Sequence, residues 1–163
     1  MLAADPVVAV GHATNCMSGR TFLDTNVLVY AVDETEPDKR EVARRLLAST
    51  GHGEFVLSTQ ILSEFYTVVT RKLAEPIPEA TAAAVVDYLA LNPVVPTDAA
   101  LVKAAIQISR SAQLSYWDGL IVASATAGGC QRLLTEDLND GQVIGSVRIE
   151  NPFLTDVQAR PDR

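Results

Sequence analysis

The sequence predicts an α/β protein: three layers, α/β/α, around a central, mostly parallel sheet of about five short strands. Three observations predict it. Short apolar runs bounded by turn or cap signals recur along the chain and read as strands. Helical stretches of about ten to fifteen residues alternate with them, which implies parallel pairing and a sheet covered on both faces. One of those stretches, following Asp118, is apolar on nearly every side and therefore reads as a central, buried helix.

The elements follow in order. Thr21-Phe22-Leu23 is a strand that stops at Asp24, and Val27 to Val32 leaves it as a helical turn. Asp38 to Ser49 is amphipathic, with Val42, Leu46 and Leu47 on one face, and Gly51-His52-Gly53 ends it. Phe55-Val56-Leu57 is the second strand, after which Ser58 or Thr59 caps a helix running to about Leu73. Glu75-Pro76-Ile77-Pro78 breaks the chain before an Ala-rich helix from Glu79 to Leu91. Val94-Val95 is the third strand, and helices follow at Asp98 to Ser111 and Tyr116 to Ala127, the latter closed by Gly128-Gly129. Arg132-Leu133-Leu134 is the fourth strand, Asn139-Asp140-Gly141 a turn, and Val147-Arg148-Ile149 the fifth strand.

A chain of 163 residues with ordinary Gly and Pro content fits one domain with a real core. We place that domain at residues 17–153, with 1–16 a disordered leader or a segment before the true start at Met17, and 154–163 a disordered tail. Cys16 and Cys130 are too far apart in pattern for a disulfide framework or a zinc site, which points to a reducing, cytoplasmic compartment. No run of apolar residues is long enough for a membrane span. The formal net charge of −7 argues against a protein that grips nucleic acid by a broad basic face. It leaves room for an enzyme that meets phosphate through a bound cation.

With 20 acids in the chain, most are plain solvated side chains, so the informative ones stand where burial should exclude them. Asp24 ends the first strand, at the sheet edge where open α/β folds bind ligands; its bland role is an N-cap. Glu64 lies at the margin of the Ile61, Leu62, Phe65, Val69, Leu73 stripe, where it either lines a cleft or is an ordinary surface acid. Asp118 fits a capping box with Ser115, and a position in the first helical turn also keeps a carboxylate ionised, as a metal ligand must be. Asp137 follows the fourth strand as Asp24 follows the first. Asp140 fits the turn, and Glu136 reads as simply exposed.

In a parallel sheet these positions converge, and several carboxylates close together need a counter-ion. Oxygen-only ligands suit Mg²⁺ or Mn²⁺, and such ions activate water for in-line displacement at a phosphodiester. His12 and His52 are isolated, and neither G-x-S-x-G nor a P-loop is present. Arg44, Arg45, Arg71 and Lys72 are candidate guides for a nucleic-acid backbone, against the ordinary solubilising role of exposed bases. Tyr116 and Trp117 either stack on a base or pack in a core or dimer contact.

Asp24-Thr25-Asn26-Val27-Leu28-Val29-Tyr30-Ala31 resembles the opening motif of PIN-domain nucleases, particularly the VapC-type toxins of bacterial toxin–antitoxin pairs. Ser63-Glu64-Phe65, Tyr116-Trp117-Asp118-Gly119-Leu120-Ile121-Val122-Ala123 and Leu133-Leu134-Thr135-Glu136-Asp137-Leu138 resemble the later motifs, and Val147 to Phe153 is similar to how these toxins close. The resemblance implies a PIN-like fold and a magnesium-dependent endoribonuclease, silenced by a cognate antitoxin and usually a homodimer. It implies Asp24, Glu64, Asp118 and Asp137 as the catalytic, metal-holding quartet, with Asp24 and Asp118 the firmest ligands. Thr25, Asn26 and Thr135 would orient them by hydrogen bonds. Two readings compete. A haloacid-dehalogenase-type phosphatase also begins with an Asp after its first strand, but needs an acid where Asn26 stands and a lysine later than Lys103. A non-catalytic PIN-like protein that binds RNA or a partner keeps the fold without the chemistry.

Overall fold

The computed structural model describes residues 19–49 and 54–154. The expected leader at 1–16, Met17, His12, Cys16, His52 and the tail beyond Leu154 lie outside the described residues.

β1 (Thr21–Leu23) is buried along its whole length because it lies in the middle of the sheet. β2 (Phe55–Ser58) pairs with it on one side and β4 (Arg132–Leu134) on the other, both parallel. β3 (Val94–Val95) extends the β2 side, and β6 (Val147–Glu150) extends the β4 side, again in parallel. Among the described residues the sheet has six strands rather than about five, in the order β3-β2-β1-β4-β6-β5. The additional one, β5 (Val143–Ile144), runs antiparallel to β6 through a two-residue Gly145-Ser146 connection. Gly145 has φ 61°, the left-handed conformation with which such a tight hairpin begins. A strand of two residues is too short to show any periodicity.

Six helices join the strands among the described residues, and they flank the sheet: α1 (Thr25–Tyr30), α2 (Pro37–Ser49), α3 (Thr59–Arg71), α4 (Glu79–Leu89), α5 (Ala99–Ala112) and α6 (Tyr116–Ala127). α1 begins two residues before the predicted helical turn, because Asp24 caps it, accepting a hydrogen bond from Thr25 N at 2.6 Å. Ser58 caps α3, Asp98 caps α5 and Ser115 caps α6. α4 stops at Leu89, two residues short of the prediction. α6 is the central helix that its all-round apolar sequence requires: every residue from Gly119 to Ala125 is buried. Its close approach to α5 depends on Gly119, where an added Cβ would stand 2.7 Å from the Ala105 carbonyl oxygen.

The main core joins strand residues Phe22, Leu23, Val56, Leu57, Leu133 and Ile149 to Val27, Phe65, Val69 and Val122 of the helices. A large side chain buried there contributes about 1.5–3 kcal/mol. A smaller cluster of Leu101, Ala105, Leu120 and Ala123 fastens α5 to α6.

This topology has a consequence for ligands. From β1 the chain first builds outward through β2 and β3, then returns to the opposite side of β1 with β4. The connections therefore diverge between β1 and β4, and crevices at the carboxyl ends of such a strand pair are where open α/β sheets bind ligands. Asp24 and Thr135 are the first residues past those two ends.

Candidate metal-binding nuclease site

The register of β1 and β4 sets Leu23 beside Leu134, and Asp24 N donates to the Leu134 carbonyl at 3.0 Å. Asp24 is thereby only 5% exposed, an extreme position for a carboxylate. Thr135 Oγ1, also buried, donates to Asp24 Oδ2 at 2.6 Å. Asn26 Nδ2 faces three acceptors: Asp24 Oδ2 at 3.3 Å, Thr135 Oγ1 at 3.2 Å and Asp137 Oδ2 at 3.1 Å. Thr25 Oγ1 donates to Glu64 Oε2 at 3.1 Å, across from α1 to α3. All three hydroxyl and amide side chains singled out in the sequence thus hydrogen-bond to acids singled out with them.

Asp24, Glu64, Asp118 and Asp137 line one cleft of about 690 Å³, and Thr25 and Asn26 line it too. Glu64 and Asp137 are exposed and Asp118 is half-buried. Asp118 stands apart in its bonding, since its carboxylate accepts from Ser115 Oγ at 2.7 Å while its amide donates back to that hydroxyl at 3.1 Å. The capping role and the cleft position therefore coexist. A fifth acid, Asp33, also lines the cleft, but Thr35 occupies its carboxylate with its amide and hydroxyl at 2.9 and 2.7 Å.

Negative charge dominates the described lining of the cleft. Burial raises the Asp24 carboxyl to about 6; hydrogen bonds from Thr135 and Thr25 oppose the shift, and the charges of Asp137 and Glu64 add to it. Among the described residues, the hydrogen bonds to the four acids come from neutral groups, and no lysine or arginine pairs with any of them. Asn26 Oδ1 and Gln60 Oε1, both at the cleft, are buried oxygens without a donor. Hard oxygen donors, crowded negative charge and open acceptor atoms fit a divalent cation such as Mg²⁺ in chemistry. No three Asp, Glu, His or Cys side chains among the described residues form a ready ligand group, so an ion here is held by fewer carboxylates with water completing its shell or by a rearranged set.

Sequence reasoning passed over several features nearby. Glu136, read as exposed, is half-buried: Tyr30 Oη donates to one of its oxygens and Lys39 Nζ meets the other at 2.6 Å. Lys39 also lies 4.3 Å from the Tyr30 ring centroid, and Tyr30 packs edge-on against Phe153. Of the four candidate backbone guides, Arg44 donates to the Ala31 carbonyl, Arg45 pairs with Glu41 and Arg71 with Glu79. Lys72 is the single cation lining the cleft among the described residues. Cys130 is a free, buried thiol whose pKa burial raises to about 11, so it stays protonated and unreactive.

The profile of the PIN domain matches residues 21–140, most of the chain and every acid of the cleft. The chain belongs to the PIN-domain family. The family is one of nucleases, and the haloacid-dehalogenase reading loses its footing. No curated protein matches the sequence. Among solved structures, the PIN fold of this chain is similar to a toxin–antitoxin complex from Klebsiella pneumoniae at 15% identity and TM-score 0.60, covering 81% of this chain and 97% of that one. VapC20 of Mycobacterium tuberculosis, described as a sarcin–ricin-loop-cleaving toxin, aligns at 20% identity and TM-score 0.53 over 69% of this chain and 86% of its own. DNA-bound VapBC from Salmonella typhimurium aligns at 24% identity and TM-score 0.54 over 82% and 98%. At such identities the likeness establishes the shared PIN fold. No described helix is long and apolar enough to cross a membrane.

Proposed function

We propose that this PIN-domain protein is a magnesium-dependent endoribonuclease that hydrolyses RNA phosphodiester bonds, the toxin of a type II toxin–antitoxin pair. The observation that carries the reading is the meeting of Asp24, Glu64, Asp118 and Asp137 in one cleft at the sheet's switch point, without a basic partner among the described residues. Asp24 and Asp118 are the principal metal-holding residues, and Glu64 and Asp137 complete the set; Mn²⁺ satisfies the same oxygen donors. When bound, the ion neutralises phosphate charge and lowers the pKa of the attacking water.

The chain's own residues do the positioning. Thr135 and the Thr25 amide fix the Asp24 carboxylate, and Asn26 ties Asp137 to it. Thr25 holds Glu64. Among the described residues lining the cleft, the carboxylates are the groups that can take the proton of the attacking water. The toxin assignment draws on solved neighbours, one described as a toxin–antitoxin complex and another as a toxin. With it come a cognate antitoxin as partner, a homodimer, and the reducing cytoplasm as the place of action.

Cleavage of end-labelled RNA tests the reaction. Wild-type protein cuts with magnesium and stops on chelation, and Asp24→Asn loses at least about a hundredfold. Equal cutting by both proteins marks a contaminant and removes the catalytic claim. The second reading, a non-catalytic PIN-fold binding protein, has one observation in its favour: the absence, among the described residues, of a ready three-acid ligand set. Magnesium-independent RNA binding with no cleavage by wild type decides for it.

A further inference from the structure

Trp117 is the only tryptophan in the chain, and it is 62% exposed. Indoles are usually well covered, so a large open one asks for an explanation. This one stands in the first turn of α6, next to Asp118, and lines the same cleft as the four acids. Its neighbour Tyr116 packs against the α5–α6 cluster and meets the indole edge-on, ring centroids 5.1 Å apart at 69°. Such a contact steadies the indole without sandwiching it. The result is a supported aromatic surface at the wall of an acid-lined cleft.

We propose that Trp117 is the nucleobase-stacking residue of this cleft, taking the face of an unpaired base next to the phosphate that the carboxylates attend. The inference rests on reading the cleft as an RNA site. Charge is what selects the occupant. The chain is acidic overall, and Lys72 is the single cation among the described lining residues, so phosphate attraction holds a strand only weakly here. A base offers a neutral π-face, which binds an aromatic side chain whatever the sign of the surrounding field. Every base has such a face, so the contact grips without reading sequence. A base inside a duplex has both faces covered by its neighbours, so the contact selects looped or single-stranded RNA.

Since Trp117 is the sole tryptophan, intrinsic fluorescence reports on this residue alone. The full chain is titrated in the presence of chelator with three probes: an unstructured RNA oligonucleotide, the same oligonucleotide annealed to its complement, and an abasic strand of equal phosphate number. The single strand quenches the emission saturably, and the duplex and abasic strands do not. By anisotropy of a labelled single strand, Trp117→Ala binds roughly 10- to 100-fold more weakly, whereas Trp117→Phe keeps most of the affinity. Melting temperature and sedimentation are unchanged in both.

Quenching of equal size by the abasic strand overturns the proposal, as does wild-type affinity in Trp117→Ala or no binding by wild type at all. So does dissociation of a dimer in Trp117→Ala with RNA affinity kept, which makes the residue a subunit contact. Metal-dependent cleavage is read separately. Stacking without cleavage removes the nuclease reading and keeps this site, and cleavage by Trp117→Ala with an unchanged KM does the reverse.

Discussion

Asn26 and Thr135, 109 residues apart in the chain, meet through a 3.2 Å hydrogen bond directly above the β1–β4 pair. The Asn26 amide has two hydrogens and faces three acceptors, so it acts as a clasp between Asp24 and Asp137 rather than as a partner of either. Removing it in Asn26→Ala leaves two carboxylates to repel each other without a shared donor. The expected outcome is a rate about 10- to 100-fold lower and a higher magnesium requirement, with the fold retained. Metal titration of initial cleavage rates checks this, and an unchanged magnesium midpoint contradicts it.

Asp24 gives the metal-free protein an unusual pH dependence. Its carboxyl titrates near 3.8 when unfolded and is raised to about 6 in the fold, so between those values the native state holds a proton that the unfolded state has lost. Stability of the metal-free protein therefore falls as pH rises through that window, by on the order of 3 kcal/mol, and levels off above it. A divalent cation competes with that proton. The gain in melting temperature on adding magnesium should accordingly be larger at about pH 8 than at about pH 5, and Asp24→Asn should flatten both the pH slope and the magnesium gain. Equal gains at the two pH values would place the ion elsewhere.

Much of this arrangement is legible in the sequence because it is local. A strand that stops at Asp24 and a helical turn read from Val27 put the acid at the carboxyl edge of the sheet, although the helix itself starts two residues earlier than that reading. The all-round apolar run after Asp118 requires a buried helix, and Ser115 marks its start. Two features are not legible, for different reasons. β5 lies inside the connection between the Asn139-Asp140-Gly141 turn and β6 and becomes a strand only by pairing back on β6, although Gly145-Ser146 carries the turn chemistry that betrays it. Glu136 meets Lys39 from 97 residues away, a pairing that exists only once the fold brings α2 to the segment that follows β4. The arginines of α2 and α3 look equivalent along the chain, and only the fold shows which are already engaged.

Gly119 links packing to the site. An added Cβ would come within 2.7 Å of the Ala105 carbonyl and 3.0 Å of Ser109 Cβ, neither of which can yield without moving α5 from α6. Gly119→Ala is expected to cost about 1–3 kcal/mol by overpacking. Asp118 is the preceding residue, so the displaced helix start also shifts a cleft carboxylate. Cleavage should fall more than the unfolded fraction explains, measured well below the melting temperature. Full activity per folded molecule would show that α6 absorbs the strain away from Asp118.

Lys39 and Glu136 provide the last test, because their role is support. Burial works against the Lys39 charge, yet the hydrogen bonds to Glu136 and Tyr30 outweigh it and hold the ammonium above the ordinary lysine value. Glu136 lies between Thr135, which donates to Asp24, and Asp137, whose amide donates to Thr135 Oγ1 at 3.1 Å. Anchoring Glu136 to α2 thus steadies the segment carrying both contacts. Lys39→Met leaves the half-buried Glu136 carboxylate with the Tyr30 hydroxyl but no cation, and is expected to cost about 1–3 kcal/mol. Glu136→Gln, which keeps an acceptor oxygen for Lys39 and turns its amide N–H toward the Tyr30 hydroxyl oxygen, is expected to cost less than half of that. Urea denaturation distinguishes the two, and a Glu136→Gln loss equal to that of Lys39→Met would mean that the charge itself, rather than the hydrogen-bond geometry, holds the segment in place.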